Sequence, residues 1–162
     1  KILRQVSKPV EKVTKDEQVL MDDMLETMYH ANGIGLAAIQ IGVPKRIIVM
    51  DISKDGKKNP MYFVNPKIKN KHKEKSTYEE GCLSVPNYFA EVDRPKYCEV
   101  EYLDYQGENK ILKAEGLLAT CIQHEMDHLE GVLFIDYLSK LKKTMIVKKL
   151  SKRKSNTDRI IV

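Results

Sequence analysis

Apolar residues recur at helical spacing in three stretches of the chain. The first is Leu20, Met21, Met24, Leu25 and Met28, at intervals of three and four that stack on one helix face. Thr14-Lys15-Asp16-Glu17 ahead of it has the form of a capping box, and Asn32-Gly33 behind it supplies a stop. A helix is predicted over about Asp16–Ala31, with its methionines in the core. The second stretch is Leu117, Leu118, Cys121, Ile122, Met126 and Leu129. Gly116 stands just before it, and Gly131 fits the C′ position of a helix end. The third is Leu138, Leu141, Met145, Ile146 and Leu150, with lysines between. It predicts an amphipathic helix through about Lys152, followed by a frayed, charged end.

Between these stretches the period changes to two. Arg46–Asp51 has a β-branched centre and reads as a strand. Lys54–Pro60 is a turn-rich loop. Tyr62–Asn65 is a short strand that Pro66 is expected to close. Lys67–Lys75 is lysine-rich and reads as a solvated edge strand or hairpin, with His72 exposed. Tyr88–Val92, Cys98–Leu103 and Ile111–Lys113 add further strands, with Gln106-Gly107 turning between the last two. A short apolar segment, Leu133–Tyr137, precedes the third helix. The predicted fold is α+β, with short antiparallel strands packed around the central helix and a C-terminal helix after it.

At 162 residues the chain is one domain with a sizeable core. It is 42% hydrophobic and 31% charged, a balance that reads as globular and soluble. No apolar run approaches a membrane span, and the N-terminal KILRQVSKPV has no secretory apolar core. Three widely spaced cysteines argue against a disulfide framework and for the cytosol. The net charge of +5 is uneven. From Ser139 onward nine Lys or Arg face one acid, giving +8, while the remaining 19 basic and 22 acidic residues give −3.

The central helix carries the chemistry. Within Ala119–Gly131 lies H-E-x-x-H, formed by His124, Glu125 and His128. At about 100° per residue, His128 sits only about 40° round from His124, so two imidazoles converge on one metal ion. Glu125 is badly placed to be a ligand and well placed to touch a water on the metal. A hydrolytic site needs a third protein ligand. Cys121 shares the face, but it is seven residues from His128, about 10 Å along the axis, too far for one ion. No His follows His128, and the only later Glu is Glu130, two residues on. The third-ligand supply of the two common metalloprotease patterns is therefore missing. Elsewhere, Glu79-Glu80-Gly81-Cys82-Leu83-Ser84-Val85-Pro86 puts Cys82 after a glycine on what reads as a loop, whereas Cys98 alternates like a half-buried strand residue. Cys82 is preferred over Cys98 as the third ligand.

One further stretch stands out. Gly33-Ile34-Gly35-Leu36-Ala37-Ala38-Ile39-Gln40 has two glycines around one Ile, a backbone that something approaches closely. It is not G-x-G-x-x-G, so no nucleotide fingerprint is read. Gln40 ends the apolar run, and spacing alone leaves it open between surface and site.

Taken together, G-I-G-L-A-A-I-Q, E-G-C-L-S-V-P and Q-H-E-M-D-H resemble the peptide deformylases. The resemblance runs from about Lys1 to the basic tail. It implies a metal-dependent hydrolase that removes the formyl group from the N-terminal formylmethionine of newly synthesised proteins. By resemblance, Cys82, His124 and His128 bind the metal and Glu125 is the general acid/base. The Gln40 side chain and the Leu83 N–H form the oxyanion hole. The implied metal is Fe²⁺ in the cell, with Zn²⁺, Ni²⁺ or Co²⁺ able to occupy the site. The methionine side chain needs an apolar slot, for which Ile34, Gly35, Tyr78, Leu117 and Cys121 are the candidates.

There are departures from the family pattern. Lys1 falls inside what looks like the family's N-terminal region, so a short segment ahead of it is expected. Phe89 stands where some members carry an arginine that helps hold the peptide. The competing readings are a metallopeptidase of another class and a basic ribosome- or RNA-binding module with a structural metal. The basic tail from about residue 139 is read as either a solvated helix or a contact with ribosomal RNA. A helix on anionic lipid is disfavoured because the tail has few large apolar residues and no aromatic, and no membrane partner is expected.

Overall fold

A computed structural model describes the backbone of residues 1–160 and the side chains through residue 152. The first predicted helix is α1, Lys15–His30. The Thr14 N–H donates to Glu17 Oε2 at 3.0 Å, as the capping box requires. Met21, Met24 and Met28 are fully buried. The chain then forms β1 (Gly35–Ala37), a 3-10 turn over Ala38–Ile41, and β2 (Ile47–Met50).

Five antiparallel strands make the main sheet. They are β1, β2, β3 (Met61–Lys71), β6 (Tyr97–Leu103) and β7 (Asn109–Glu115), in the order β1-β2-β3-β6-β7. β4 (Lys75–Cys82) and β5 (Val85–Pro95) form a separate two-stranded hairpin. All four residues of β2 are buried, because the sheet is covered on both faces. Ile47 and Val49 pack against the α1 methionines. Ile48 and Met50 pack with Phe63, Val100 and the apolar stripe of α2 (Gly116–Leu129), chiefly Ala119, Ile122 and Leu129. Each fully buried Ile, Leu or Met contributes on the order of 1.5–3 kcal/mol of transfer free energy, so α2 is fixed in rotation by its own stripe. Gly131 follows with φ +72°, the left-handed conformation of a C′ glycine.

Two strand expectations are corrected. Pro66 does not close a strand at Asn65, because β3 runs through it to Lys71. The β3–β6 register shifts between Val64 and Lys67, so the proline lies at an irregularity where no ladder N–H is needed. Asn65 sits there with φ +51° and clasps the N-terminal segment, its Oδ1 accepting from Val10 N at 2.8 Å and its Nδ2 donating to Val10 O at 2.7 Å. Beyond Pro66, β3 pairs only with β6, which fits the edge expected for the lysine-rich stretch. Cys82, expected on a loop, instead ends β4, with Leu83 and Ser84 as the turn into β5.

After α2, Phe134–Tyr137 is a 3-10 turn, and α3 (Lys140–Ile160) follows. Leu138, Ile146 and Leu150 of this C-terminal region pack on Val85, Val92 and Phe134. The helix continues to Ile160 instead of fraying after Lys152. The segment contains no Gly or Pro and is rich in Lys and Arg, which are good helix formers. No helix among the described residues is long and apolar enough to cross a membrane.

Candidate metal centre

The helix α2 presents His124 and His128 four residues apart, 8% and 1% exposed, with ring centroids 5.2 Å apart and near-perpendicular planes. The β4–β5 hairpin lays its Cys82 end against them. The Cys82 sulfur lies 3.4 Å from His128 Nε2, and the donor atoms of Cys82, His124 and His128 all fall within 4.8 Å of one another. A tetrahedral ion with N and S ligands at about 2.0–2.3 Å separates those ligands by roughly 3.5 Å. The donor set therefore has the size and chemistry of a three-ligand divalent site. Cys98, the other cysteine considered, is fully buried in the sheet core, where burial pushes its thiol up to about 11.

Charged groups behind the cluster orient it. Glu80 Oε1 meets His124 Nδ1 at 2.8 Å, which leaves the Nε2 side of that ring for the cluster. Arg94 forks onto Glu80 through Nε (2.7 Å) and Nη2 (3.0 Å) and reaches Asp127 through Nη1 (2.8 Å). The Tyr137 hydroxyl donates to the same Asp127 at 2.7 Å, and the guanidinium lies over the Tyr137 ring. Both Glu80 and Arg94 are buried, and paired in this way neither charge is left uncompensated.

The surroundings of His124 favour positive charge. Burial alone would lower the His124 pKa, but hydrogen bonds with Cys82 and Glu80 outweigh it and raise it to about 10. The same anionic surroundings that hold a proton there suit a metal cation, which competes with that proton. Burial, then the charges of His124 and Arg94, lowers His128 to about 3 and keeps its ring neutral, the form that binds a metal.

Glu125 is 4% exposed, and its Oε2 has no hydrogen-bond partner among the described residues. Burial pushes its carboxyl up to about 7, the range of a proton carrier at neutral pH. A cation in the neighbouring cluster would draw it back down. Glu125 packs on the backbone of Gly35, where an added Cβ would stand 2.7 Å from Glu125 Oε1. That is the close approach the glycine pair implied.

Gln40, left open by the sequence, lies at the site. Its Oε1 accepts from Ala37 N at 2.9 Å, and its Nε2 donates to Ser84 Oγ at 3.0 Å and faces Cys82 Sγ at 3.6 Å. A cleft of about 470 Å³ opens over these groups. Ile34 and Gly35 line it from one side, Tyr78 and Leu83 from the other, with Leu117 and Cys121 contributed by α2. All five slot candidates thus border one cavity, as do Cys82, His124, Glu125 and Gln40. His128 is not on the lining and lies behind it.

Sequence reading missed Glu80, Arg94 and Asp127. A signal existed for Arg94: it continues the inward series Ala90, Val92, Arg94, and a buried arginine demands a carboxylate.

The sequence model of the family described as polypeptide deformylase matches residues 1–144. A peptide deformylase of Pelagibacter ubique is 76% identical over all of this chain and 94% of its own length. The chain belongs to the peptide deformylase family. Another relative, the peptide deformylase of Rhizobium meliloti, is 60% identical over 93% of this chain and 87% of its own length. Among solved structures, the peptide deformylase of Ehrlichia chaffeensis in complex with actinonin superposes with a TM-score of 0.91 at 46% identity, covering 94% of this chain and 92% of that one. As a deformylase the chain is a metal-dependent hydrolase that removes the N-formyl group from nascent peptides. The metallopeptidase and RNA-module readings are not favoured.

Proposed function

We propose that Cys82, His124 and His128 hold the metal of this deformylase, and that Glu125, Gln40 and the Leu83 N–H carry out the reaction beside it. The observation that carries this is the three-donor cluster with a buried carboxylate at its edge whose Oε2 has no hydrogen-bond partner among the described residues. A divalent ion held by these three residues would supply Lewis acidity for the formyl carbonyl and the attacking water. Glu125 takes the proton of the attacking water at Oε2 and hands it to the leaving amine. Gln40, its amide fixed by Ala37 and Ser84, and the Leu83 N–H at the turn receive the charge that develops on the formyl oxygen. Each such donor is worth about 3–4 kcal/mol. Ile34, Tyr78, Leu117 and Cys121, with the Gly35 backbone beside them, form the slot for the methionine side chain. A formyl carbon bears only hydrogen, so a tight site accepts it and excludes ordinary peptide bonds.

The metal we assign is Fe²⁺ in the cell, with Zn²⁺, Ni²⁺ and Co²⁺ able to take its place, since one thiolate and two imidazoles suit all four. The chain is one catalytic domain over residues 1–162 with a basic helix from about 139. Its three free cysteines fit the cytoplasm. The basic tail is read as a ribosome contact.

Formate release from formyl-Met-Ala-Ser, beside hydrolysis of unblocked Met-Ala-Ser, tests the activity. Formate is expected from the first and no free amino acid from the second. Cleavage of the unblocked peptide would restore the peptidase reading.

A further inference from the structure

A second groove, of about 740 Å³, adjoins the catalytic cleft. One wall is the β4–β5 hairpin with Glu79, Phe89 and Glu91, and the other is α3 with Lys142, Met145 and Lys149. Glu79 and Phe89 border both cavities, so the groove continues from the cleft across a shared rim. Phe89 is 66% exposed yet lies flat on the hairpin: a Cβ at Gly81, its cross-strand partner, would meet the ring at 2.5 Å. The apolar surface on the rim is therefore held in place. Met145, half exposed, supplies apolar surface on the opposite wall.

The charges of the two walls are opposite and uncommitted. Glu79 and Glu91 stand directly across the ladder from each other, a like-charge pairing that is unfavourable unless something relieves it. Lys142 and Lys149 are exposed on the facing helix. None of these four side chains joins an ion pair among the described residues. A row of carboxylates faces a row of ammonium groups across an apolar strip. That suits an extended polypeptide, whose side chains of either sign find a partner wall and whose apolar ones meet Phe89 and Met145. A phosphate surface would be repelled by the glutamates.

We propose that this groove is a distal subsite for the substrate, taking the stretch of nascent polypeptide that follows the residues held in the catalytic cleft. The inference rests on the deformylase reading, and the formylated tripeptide separates the two, because it lacks the downstream residues that the groove would take. With metal-loaded protein, a formylated peptide of about nine residues that begins Met-Ala-Ser and continues with Leu, Glu and Lys should show a KM about three- to tenfold below that of formyl-Met-Ala-Ser, as a few added weak contacts would give. The double variant Lys142→Glu, Lys149→Glu should leave tripeptide turnover unchanged. It should erase the advantage of peptides with downstream Glu and keep or enlarge that of peptides with downstream Lys. This exchange of preference cannot come from misfolding, and both residues are exposed. Met145→Asp should reduce the advantage of long peptides with downstream Leu. The proposal is overturned if the long peptide has no advantage on the unmodified protein, or if the double variant treats Glu- and Lys-bearing peptides alike. Absence of formate from the tripeptide would instead overturn the underlying activity, and the subsite with it.

Discussion

Glu125 and His124 are neighbours in sequence but meet different surroundings, which is why we assign them different roles. The His124 ring is turned by Glu80 so that its remaining nitrogen faces Cys82, whereas Glu125 is pressed on Gly35, its Oε2 without a hydrogen-bond partner among the described residues. Binding and proton transfer should therefore separate on mutation. Cys82→Ala removes a donor outright and should purify largely without metal. Glu125→Ala should keep its metal while turnover falls by about 10²–10⁴, the range for loss of a general acid–base group. Elemental analysis beside formate release reads both quantities, and metal loss in Glu125→Ala would show that the roles are wrongly divided. At this scale the sequence reveals what is local. H-E-x-x-H is a matter of helical angle and needs no partner to be read. Gln40 stayed undecided because its place depends on Ser84 and Cys82, more than forty residues away. Glu80 and Arg94 went unread for the same reason: their role exists only once two strands and α2 are brought together.

At the scale of elements, the site depends on how a hairpin and a turn are tied to the rest. Asp136, in the 3-10 turn that follows α2, is the knot. It accepts from Arg4 near the N-terminus (2.5 Å), from Lys143 in α3 (2.6 Å) and from the Leu133 N–H (2.9 Å). Burial alone would raise its pKa, but these donors, Arg4 first, hold it well below the usual carboxylate range. A depressed folded-state pKa contributes stability that is complete above the unfolded value of about 3.9 and is lost as pH falls from there through the folded value. Asp136→Asn should thus cost about 1 kcal/mol at pH 7, a modest figure because Arg4 is partly exposed. The gap to the unmodified protein in urea unfolding should hold down to about pH 5 and close as acid is added. A gap that widens between pH 5 and pH 2.5 would rule this out. Which elements form was largely legible. α1 and α2 announce themselves by period and caps, and β2 by its β-branched run. Element ends were less so. Pro66 reads as a stop unless one knows that the β3–β6 ladder is already irregular there. Cys82 reads as a loop residue until Phe89 is seen lying on Gly81, which makes that glycine part of a strand pair.

Across the whole molecule, the sheet separates two duties. Its α1 face is a methionine-rich core, and its α2 face carries the candidate metal centre, with the β4–β5 hairpin and α3 beyond. Charge follows the same division, with the body at −3 and the segment from Ser139 at +8. Ile146 and Leu150 anchor α3 to Val85 and Val92, and a chain cut after Leu150 keeps both of these anchoring side chains. Beyond Leu150 the sequence adds Lys152, Arg153, Lys154 and Arg159 against Asp158. Formylated chains occur where they leave the ribosome, and ribosomal RNA there is a dense phosphate surface. A basic segment that neutralises phosphates releases counterions, so its binding weakens steeply with salt. Truncation after Leu150 should leave turnover of formyl-Met-Ala-Ser unchanged, because Gln40, Cys82, Leu83, His124, Glu125 and His128, to which we assign the reaction, all precede it. It should weaken sedimentation with ribosomes, and four lost phosphate contacts should make the log–log salt dependence shallower by about 3, at roughly 0.7–0.9 per contact. The distal groove makes a different demand, since Lys142 and Lys149 remain in the truncated chain and the preference for longer peptides should survive. Unchanged ribosome sedimentation of the truncated protein, or binding of the full chain that added salt does not weaken, would leave the charged end as a solvated helix and no more.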